Sequence, residues 1–174
     1  PAAQYGGYGA LVGHELSHAV DARGRMVDAK GELRDWWTGT EAAAWDANVQ
    51  KVATLYDGFA YPQLKGVKVN GRLTRDENIA DIAGLELARA ALVAALPSGG
   101  AQADKDFYRG WAQVRAQQVT MDEAQRRSLQ DVRAPGPWRG NAPIMQQGAF
   151  GTAYACKAGT PMQPKVEQRV GIFR

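Results

Sequence analysis

Tyr8, Leu11, Val12, Leu16, Ala19 and Val20 recur at helical spacing and predict a helix over about residues 8–22 with one apolar stripe. Gly6, Gly7, Gly9 and Gly13 crowd its beginning, lowering helix propensity while letting a neighbouring backbone come close. Residues Arg25 to Trp37 read as a short hairpin turning at Asp28-Ala29-Lys30-Gly31. Thr38 and Glu41 spell a capping box for a helix running to about Asp57, before Gly58. Pro62, Gly66 and Asn70-Gly71 mark an irregular stretch with room for a second small hairpin. A long helix is predicted from about 75 to 96, with Ile79, Ile82, Leu85, Ala88 and Leu92 facing inward and Leu96-Pro97-Ser98-Gly99-Gly100 stopping it. Two more helices fit about 104–119 and 121–130. A Pro/Gly-rich loop then covers Ala134 to Pro143, a last helix lies near 143–154, and a polar tail follows. The fold class expected from this pattern is mainly α (α+β with minor hairpins).

Composition narrows the function more than the fold. At 174 residues, with 45% hydrophobic and 22% charged residues, the chain suits one globular domain. The net charge of +3 comes from 21 basic and 18 acidic residues spread without blocks, so no nucleic-acid or membrane stripe is expected. No run of roughly 18 apolar residues offers a membrane span. The chain starts at Pro1, which reads as a piece of a longer polypeptide and leaves targeting signals open. One cysteine excludes an internal disulfide and any multi-cysteine metal site, and two histidines exclude a three-histidine site.

Both histidines fall in His14-Glu15-Leu16-Ser17-His18, an H-E-x-x-H pattern inside the first predicted helix. Spacing of four places both imidazoles on one face, where they can grip one zinc ion, with Glu15 beside them to take a proton from a metal-activated water. The competing reading is a helix with two surface histidines and a solvated glutamate. The apolar flanks Leu11, Val12, Ala19 and Val20 weigh against it, because burying those polar groups there is costly without a partner. A metzincin would continue with glycine at 21 and histidine at 24; Asp21 and Gly24 exclude that class. The third ligand must then be a carboxylate, and Glu77-Asn78-Ile79-Ala80-Asp81 fits best, with Glu77 on the metal and Asp81 one turn on holding a histidine's far nitrogen. Thr74-Arg75-Asp76-Glu77 is equally a capping-box spelling, in which Glu77 would fold back on its own helix. Pattern alone leaves these two balanced; the histidine count favours the metal.

Taken together, Gly13-His14-Glu15-Leu16-Ser17-His18, Arg34-Asp35-Trp36-Trp37-Thr38, Asn70-Gly71, Glu77-Asn78-Ile79-Ala80-Asp81, Trp111-Ala112-Gln113-Val114 and Asp131-Val132-Arg133-Ala134-Pro135-Gly136 resemble, in order and spacing, the neprilysin family of zinc metallopeptidases, which includes endothelin-converting-enzyme-like members. The resemblance implies a thermolysin-like zincin catalytic subdomain built around an HExxH helix and an ExxxD helix. It also implies one zinc ion, peptide substrates and an extracytoplasmic setting, whether periplasmic, secreted or membrane-anchored. Residues 1–174 would be the C-terminal zinc-binding catalytic portion of a longer peptidase. Its substrate-binding strand and large helical domain would lie in an upstream part of the same polypeptide, the chain's expected partner.

Carried over by position, the resemblance implies zinc ligands His14, His18 and Glu77, catalytic Glu15, and supporting acids Asp81, Asp21 and Asp131. Arg139 matches an arginine that hydrogen-bonds a substrate carbonyl, and Val114, Arg115 and Leu11 are expected to face substrate. Two positions depart from the family: Arg133 replaces a transition-state histidine, and Arg115 replaces a tryptophan of the first primed-side pocket. Arg133 keeps N–H donors for an oxyanion, but its longer fork need not reach the same point. Arg115 either points to solvent or, lining the pocket, would favour acidic or polar side chains. The peptidase reading therefore has a rival, a catalytically weakened relative that binds peptides or a partner. Intact Glu15 opposes that rival. A purely structural zinc site lacks an obvious fourth ligand. Trp36 and Trp37 read as packing residues, and Cys156 as either a buried thiol or half of a bridge to upstream sequence. The glycine-rich start lacks the G-K-[ST] ending of a phosphate loop.

Overall fold

A computed structural model describes residues 1–173. The chain opens with four abutting helical stretches: α1 (Ala2–Gln4), a π-helical turn Tyr5–Gly9, α2 (Ala10–Ser17) and a 3₁₀ turn His18–Val20. Six longer or shorter helices follow: α3 (Gly39–Asp57), α4 (Gly71–Ala95), α5 (Gly100–Arg115), α6 (Met121–Gln130), α7 (Gly136–Met145) and α8 (Gly148–Ala153). Among the described residues no helix is long and apolar enough to cross a membrane. Among the described residues, extended structure is limited to three isolated antiparallel bridges. Two of them, Val27 with Leu33 and Ala60 with Lys68, sit where the small hairpins were expected. The mainly helical expectation holds.

α3 begins where its capping box places it: Thr38 accepts from the Glu41 backbone, and the Glu41 carboxylate accepts from the Thr38 backbone at 2.8 Å. α4 begins earlier than expected. Asn70 is its N-cap, its side-chain oxygen accepting from Leu73 N at 2.9 Å, while Asp57 accepts from Gly71 N at 2.6 Å. Thr74 therefore lies inside the helix, bonded back to Asn70 O, and Glu77 is not needed to cap anything.

Several expectations fail. The loop from 134 to 143 is mostly helix, because Pro135 ends in extended backbone and Pro137 is tolerated in the first turn of α7, where no N–H is required. The stretch expected as one last helix divides into the end of α7 and α8. The tail also departs from its polar reading. Val170 and Ile172 are buried, with Gln146 accepting from Val170 N and Glu86 from Ile172 N.

α4 is the central beam. Its first half puts Ile79 and Ile82 into a cluster with Val52, Tyr56 and Ile172; its second puts Leu85, Ala88 and Leu92 against Phe107 and Trp111. Each large apolar side chain so buried contributes about 1.5–3 kcal/mol. The first helical stretch, however, buries the opposite face from the one the apolar stripe suggested. Ala10, Gly13, His14 and Ser17 face α4, while Tyr8 is 74% and Leu16 66% exposed. The cause is close approach: a Cβ on Gly13 would stand 2.8 Å from Gly84 O, and one on Gly84 only 2.5 Å from His14 N. α2 and α4 meet backbone to backbone, and only the small-residue side of α2 fits there.

Candidate metal centre

That contact sets the distance between the HExxH helix and the face of α4 carrying Glu77 and Asp81. His14 is buried and His18 half-buried, and their Nε2 atoms face each other at 3.3 Å. Both outer nitrogens meet carboxylates. His14 Nδ1 lies 2.8 Å from Asp81 Oδ1, and His18 Nδ1 lies 2.8 Å from Asp21 Oδ2. A carboxylate takes the N–H side of an imidazole, so each neutral ring carries its lone pair on Nε2. Two lone pairs pointed at one another across 3.3 Å repel unless a cation joins them.

Glu77 completes the group. Its Oε2 is 3.5 Å from His14 Nε2 and its Oε1 is 3.9 Å from His18 Nε2, and one ligand atom from each of the three residues lies within 4.8 Å of the others. Zinc–ligand bonds of about 2.0–2.1 Å in a tetrahedron separate ligand atoms by roughly 3.3–3.4 Å. The three side chains therefore fit a tetrahedral zinc with one position left open.

Charge is organised around the same atoms. Burial alone would lower the His14 pKa, but the Asp81 and Glu77 carboxylates outweigh it and hold it above the ordinary histidine value. His14 chiefly, with Arg133 and Arg139 behind it, pulls Glu77 down despite burial. Asp81 is fully buried, which would raise its pKa, yet His14, Arg139 and Arg115 together keep it below the usual carboxylate value. Asp21 is likewise lowered against its burial, by backbone N–H groups of Gly24 and Arg23 and by His18.

The remaining expected site residues divide. Glu15 is exposed on the same helix as His14. Arg133 Nε lies 3.1 Å from Glu77 Oε2, with about half its side chain exposed. Asp131 is not beside the histidines; it accepts from Arg133 N at 3.0 Å and so shapes the turn that carries Arg133. Arg139 grips Asp81 through two bonds, Nε to Oδ2 at 2.7 Å and Nη2 to Oδ1 at 2.9 Å. Arg115 corrects both readings of it. It neither points to solvent nor lines a pocket: its Nη2 donates to Asp81 Oδ1 at 2.6 Å, and its guanidinium lies over Trp111, 4.4 Å from the ring. Burial is what permits this, because a fully enclosed carboxylate needs cationic donors and α5 ends beside it. Val114 is largely exposed and packs against Gly7, and Leu11 is half-buried; neither lines the cleft beside the metal-ligand residues. Trp37 packs edge-to-face on Trp45, whereas Trp36 stays half exposed and donates to Val27 O. Cys156 is a free, half-buried thiol.

Three arginines in that cleft escaped the sequence reading. It has a volume of ≈ 580 Å³ and runs from His18 and Glu77 past Arg23, Arg72 and Arg75. Nothing in their spacing marks them, since loop and helix bring them together only in the fold.

Compared with known proteins, the chain matches Peptidase family M13 over residues 1–170. It is 35% identical over 176 residues to Neprilysin-1 of Caenorhabditis elegans, covering 94% of this chain and 23% of that protein. It is 34% identical over 174 residues to the neutral endopeptidase of Lactobacillus helveticus, covering 98% of this chain and 25% of that one. Among solved structures, PepO from Lactobacillus rhamnosis HN001 gives a TM-score of 0.89 at 34% identity, over 98% of this chain and 26% of PepO. The Mycobacterium tuberculosis zinc metalloprotease Zmp1 in its open state gives 0.91 at 30% identity, over 99% of this chain and 28% of Zmp1. The chain spans about a quarter of the length of these relatives.

Proposed function

This chain belongs to peptidase family M13, and on that premise we propose that it is the zinc-binding catalytic portion of an endopeptidase that hydrolyses oligopeptides. The observation that carries this reading is the pair of Nε2 atoms converging at 3.3 Å beside Glu77, with each Nδ1 atom 2.8 Å from a carboxylate oxygen. His14, His18 and Glu77 would hold the metal. Asp81 and Asp21 fix the two imidazoles in the tautomer that presents Nε2, which also raises their basicity as ligands. When bound, zinc would supply a Lewis acid that lowers the pKa of water toward roughly 7 and polarises a peptide carbonyl.

Glu15 accepts the proton from the attacking water as the new C–O bond forms. It then returns that proton to the amine nitrogen as the C–N bond breaks, so the carboxylate is regenerated each turnover. Arg139 spends Nε and Nη2 on Asp81, which locks its plane. Its Nη1 makes no hydrogen bond among the described residues and remains available to a substrate carbonyl. Arg133 keeps its terminal N–H groups for developing negative charge while Nε rests on Glu77.

Glu15→Gln tests the reading. Zinc affinity, measured by competition with a chromophoric chelator, should stay within about threefold, while cleavage of a quenched fluorogenic peptide falls by at least about a hundredfold. Near-normal cleavage by the variant would remove Glu15 from this role.

A second reading is supported by Arg133, whose contact with Glu77 ties up a donor where the family resemblance calls for a histidine. In that reading the chain binds peptides or a partner without cutting them. A mixed peptide library incubated with and without chelator separates the two: binding with no chelator-sensitive cleavage favours the binding module. An extracytoplasmic setting belongs to the first reading, rests on the family relationship, and is tested by fractionating cells that make the protein.

A further inference from the structure

The cleft that opens from His18 and Glu77 is lined by three arginines, Arg23, Arg72 and Arg75, and by three acids, Asp21, Asp76 and Glu77, each of which already has a partner. Asp21 is committed to His18 and to the backbone N–H groups of Arg23 and Gly24. Asp76 pairs with Arg75 at 3.3 Å. Glu77 faces the two histidines and Arg133. Arg23 and Arg72 make no side-chain hydrogen bond or ion pair among the described residues, and both are exposed to the cleft. A divalent ion held by His14, His18 and Glu77 would add positive charge at the cleft's inner end. Arg115, the residue whose type first suggested selectivity for acids, is bound to buried Asp81 and takes no part.

Building on the peptidase reading, we propose that this cleft is a subsite for a carboxylate of the peptide substrate, with Arg23 and Arg72 as its specificity-determining residues. The geometry suits a carboxylate because a guanidinium presents parallel N–H donors that a carboxylate accepts two at a time, which a neutral amide of the same shape does not match. The cleft is open and wet, so the selectivity is modest and sensitive to salt. The carboxylate has two sources, an acidic side chain near the scissile bond or the peptide's own C-terminus.

The test uses the zinc-loaded chain carrying Glu15→Gln, which holds peptide without cutting it, and reads fluorescence anisotropy. Zinc content is measured first. Labelled peptides then place Glu or Gln at successive positions, each made with a free and an amidated C-terminus. Glu should bind about fivefold tighter than Gln in at least one register at low salt, and the ratio should shrink toward one at high salt. If instead only the free C-terminus discriminates, the subsite takes the terminal carboxylate. Arg23→Ala with Arg72→Ala should bring the charged-to-neutral ratio close to one, and Arg23→Glu with Arg72→Glu should reverse it toward Lys-containing peptides. Lysine substitutions at both positions should restore part of the ratio, which a merely structural role would not do. Zinc-loaded protein that binds Glu and Gln peptides equally, with either C-terminus, overturns the subsite and leaves the metal centre standing. Failure to hold zinc at all overturns the peptidase reading itself.

Discussion

Replacing Gly84 with alanine should loosen the metal site more than it destabilises the fold. The Cβ it adds would stand 2.5 Å from His14 N, 2.6 Å from Ala10 O and 2.9 Å from His14 Cα. All three are backbone atoms of the ligand helix, so no side chain can swing away to make room. Ordinary carbon contacts begin near 3.5 Å, and α2 must recede by roughly 1 Å. His14 and His18 move with α2, while Glu77 stays on α4. A metal site tolerates errors of only about 0.2 Å in its ligand positions. Overpacking of this kind costs about 1–3 kcal/mol, and the better helix propensity of alanine over glycine offsets up to about 1 kcal/mol of that.

The expected outcome is a net destabilisation of about 0–3 kcal/mol, together with a loss of zinc affinity of at least about tenfold. The first is read from urea unfolding of the metal-free protein and the second from chelator competition. Gly39→Ala is the control, because a Cβ there meets nothing within 4 Å; its zinc affinity should be unchanged. If Gly84→Ala binds zinc within twofold of the wild type, the backbone contact does not set the ligand spacing and the argument is wrong.

Three further outcomes are expected. Asp21→Ala removes the acceptor that holds His18 Nδ1 at 2.8 Å, and zinc affinity should fall about 10–100-fold; an unchanged dissociation constant would mean His18 orients itself. Saturating zinc at about a hundred times its dissociation constant should add about 2.7 kcal/mol to unfolding free energy and raise Tm by roughly 5–10 °C, an increment that chelator abolishes and that a non-binding chain would lack. Glu123, gripped by Arg126 and Arg127 on exposed α6, has its carboxyl lowered from an ordinary 4.5 to about 2. Because the folded value lies below the unfolded one, its stabilisation is present above about 4.5 and lost as pH falls through about 2. Titration of the Glu123 side-chain carbon by NMR should show that low midpoint, and Arg126→Ala with Arg127→Ala should return it toward 4.5.

Where the sequence was read well and where it was not follows from how far apart the deciding groups lie. The start of α3 is legible because Thr38 and Glu41 cap each other within one turn. The start of α4 is not, because Asn70 and Thr74 are both acceptable caps. Asp57, a residue of the preceding helix, tips the choice by taking the Gly71 N–H. That four-residue difference is what frees Glu77 from capping its own helix, so a long-range contact decides between the two helix starts that local pattern left open. Periodicity failed on α2 for another reason. It shows that one side of the helix is apolar, but not that a closer approach is available to the other side through Gly13 and Gly84.

The candidate metal-binding group was legible because i, i+4 spacing puts two side chains on one face whatever surrounds them. The charges behind them were not. Asp81 is enclosed by His14, Arg115 and Arg139, which come from three different helices. A buried carboxylate stays ionised only if cationic donors replace its lost hydration, so the site needs at least one of those arginines simply to keep Asp81 negative opposite His14. Arg115 and Arg139 divide that task, with one contributing a single bond and the other two. Replacing Arg115 by tryptophan, the residue the family resemblance places there, would leave Asp81 with Arg139 and His14 alone. The arginine therefore adds charge to the support of a metal ligand and withdraws it from the substrate side. Recognition of acidic peptides, in the subsite proposed above, falls to Arg23 and Arg72, which line the cleft with His18.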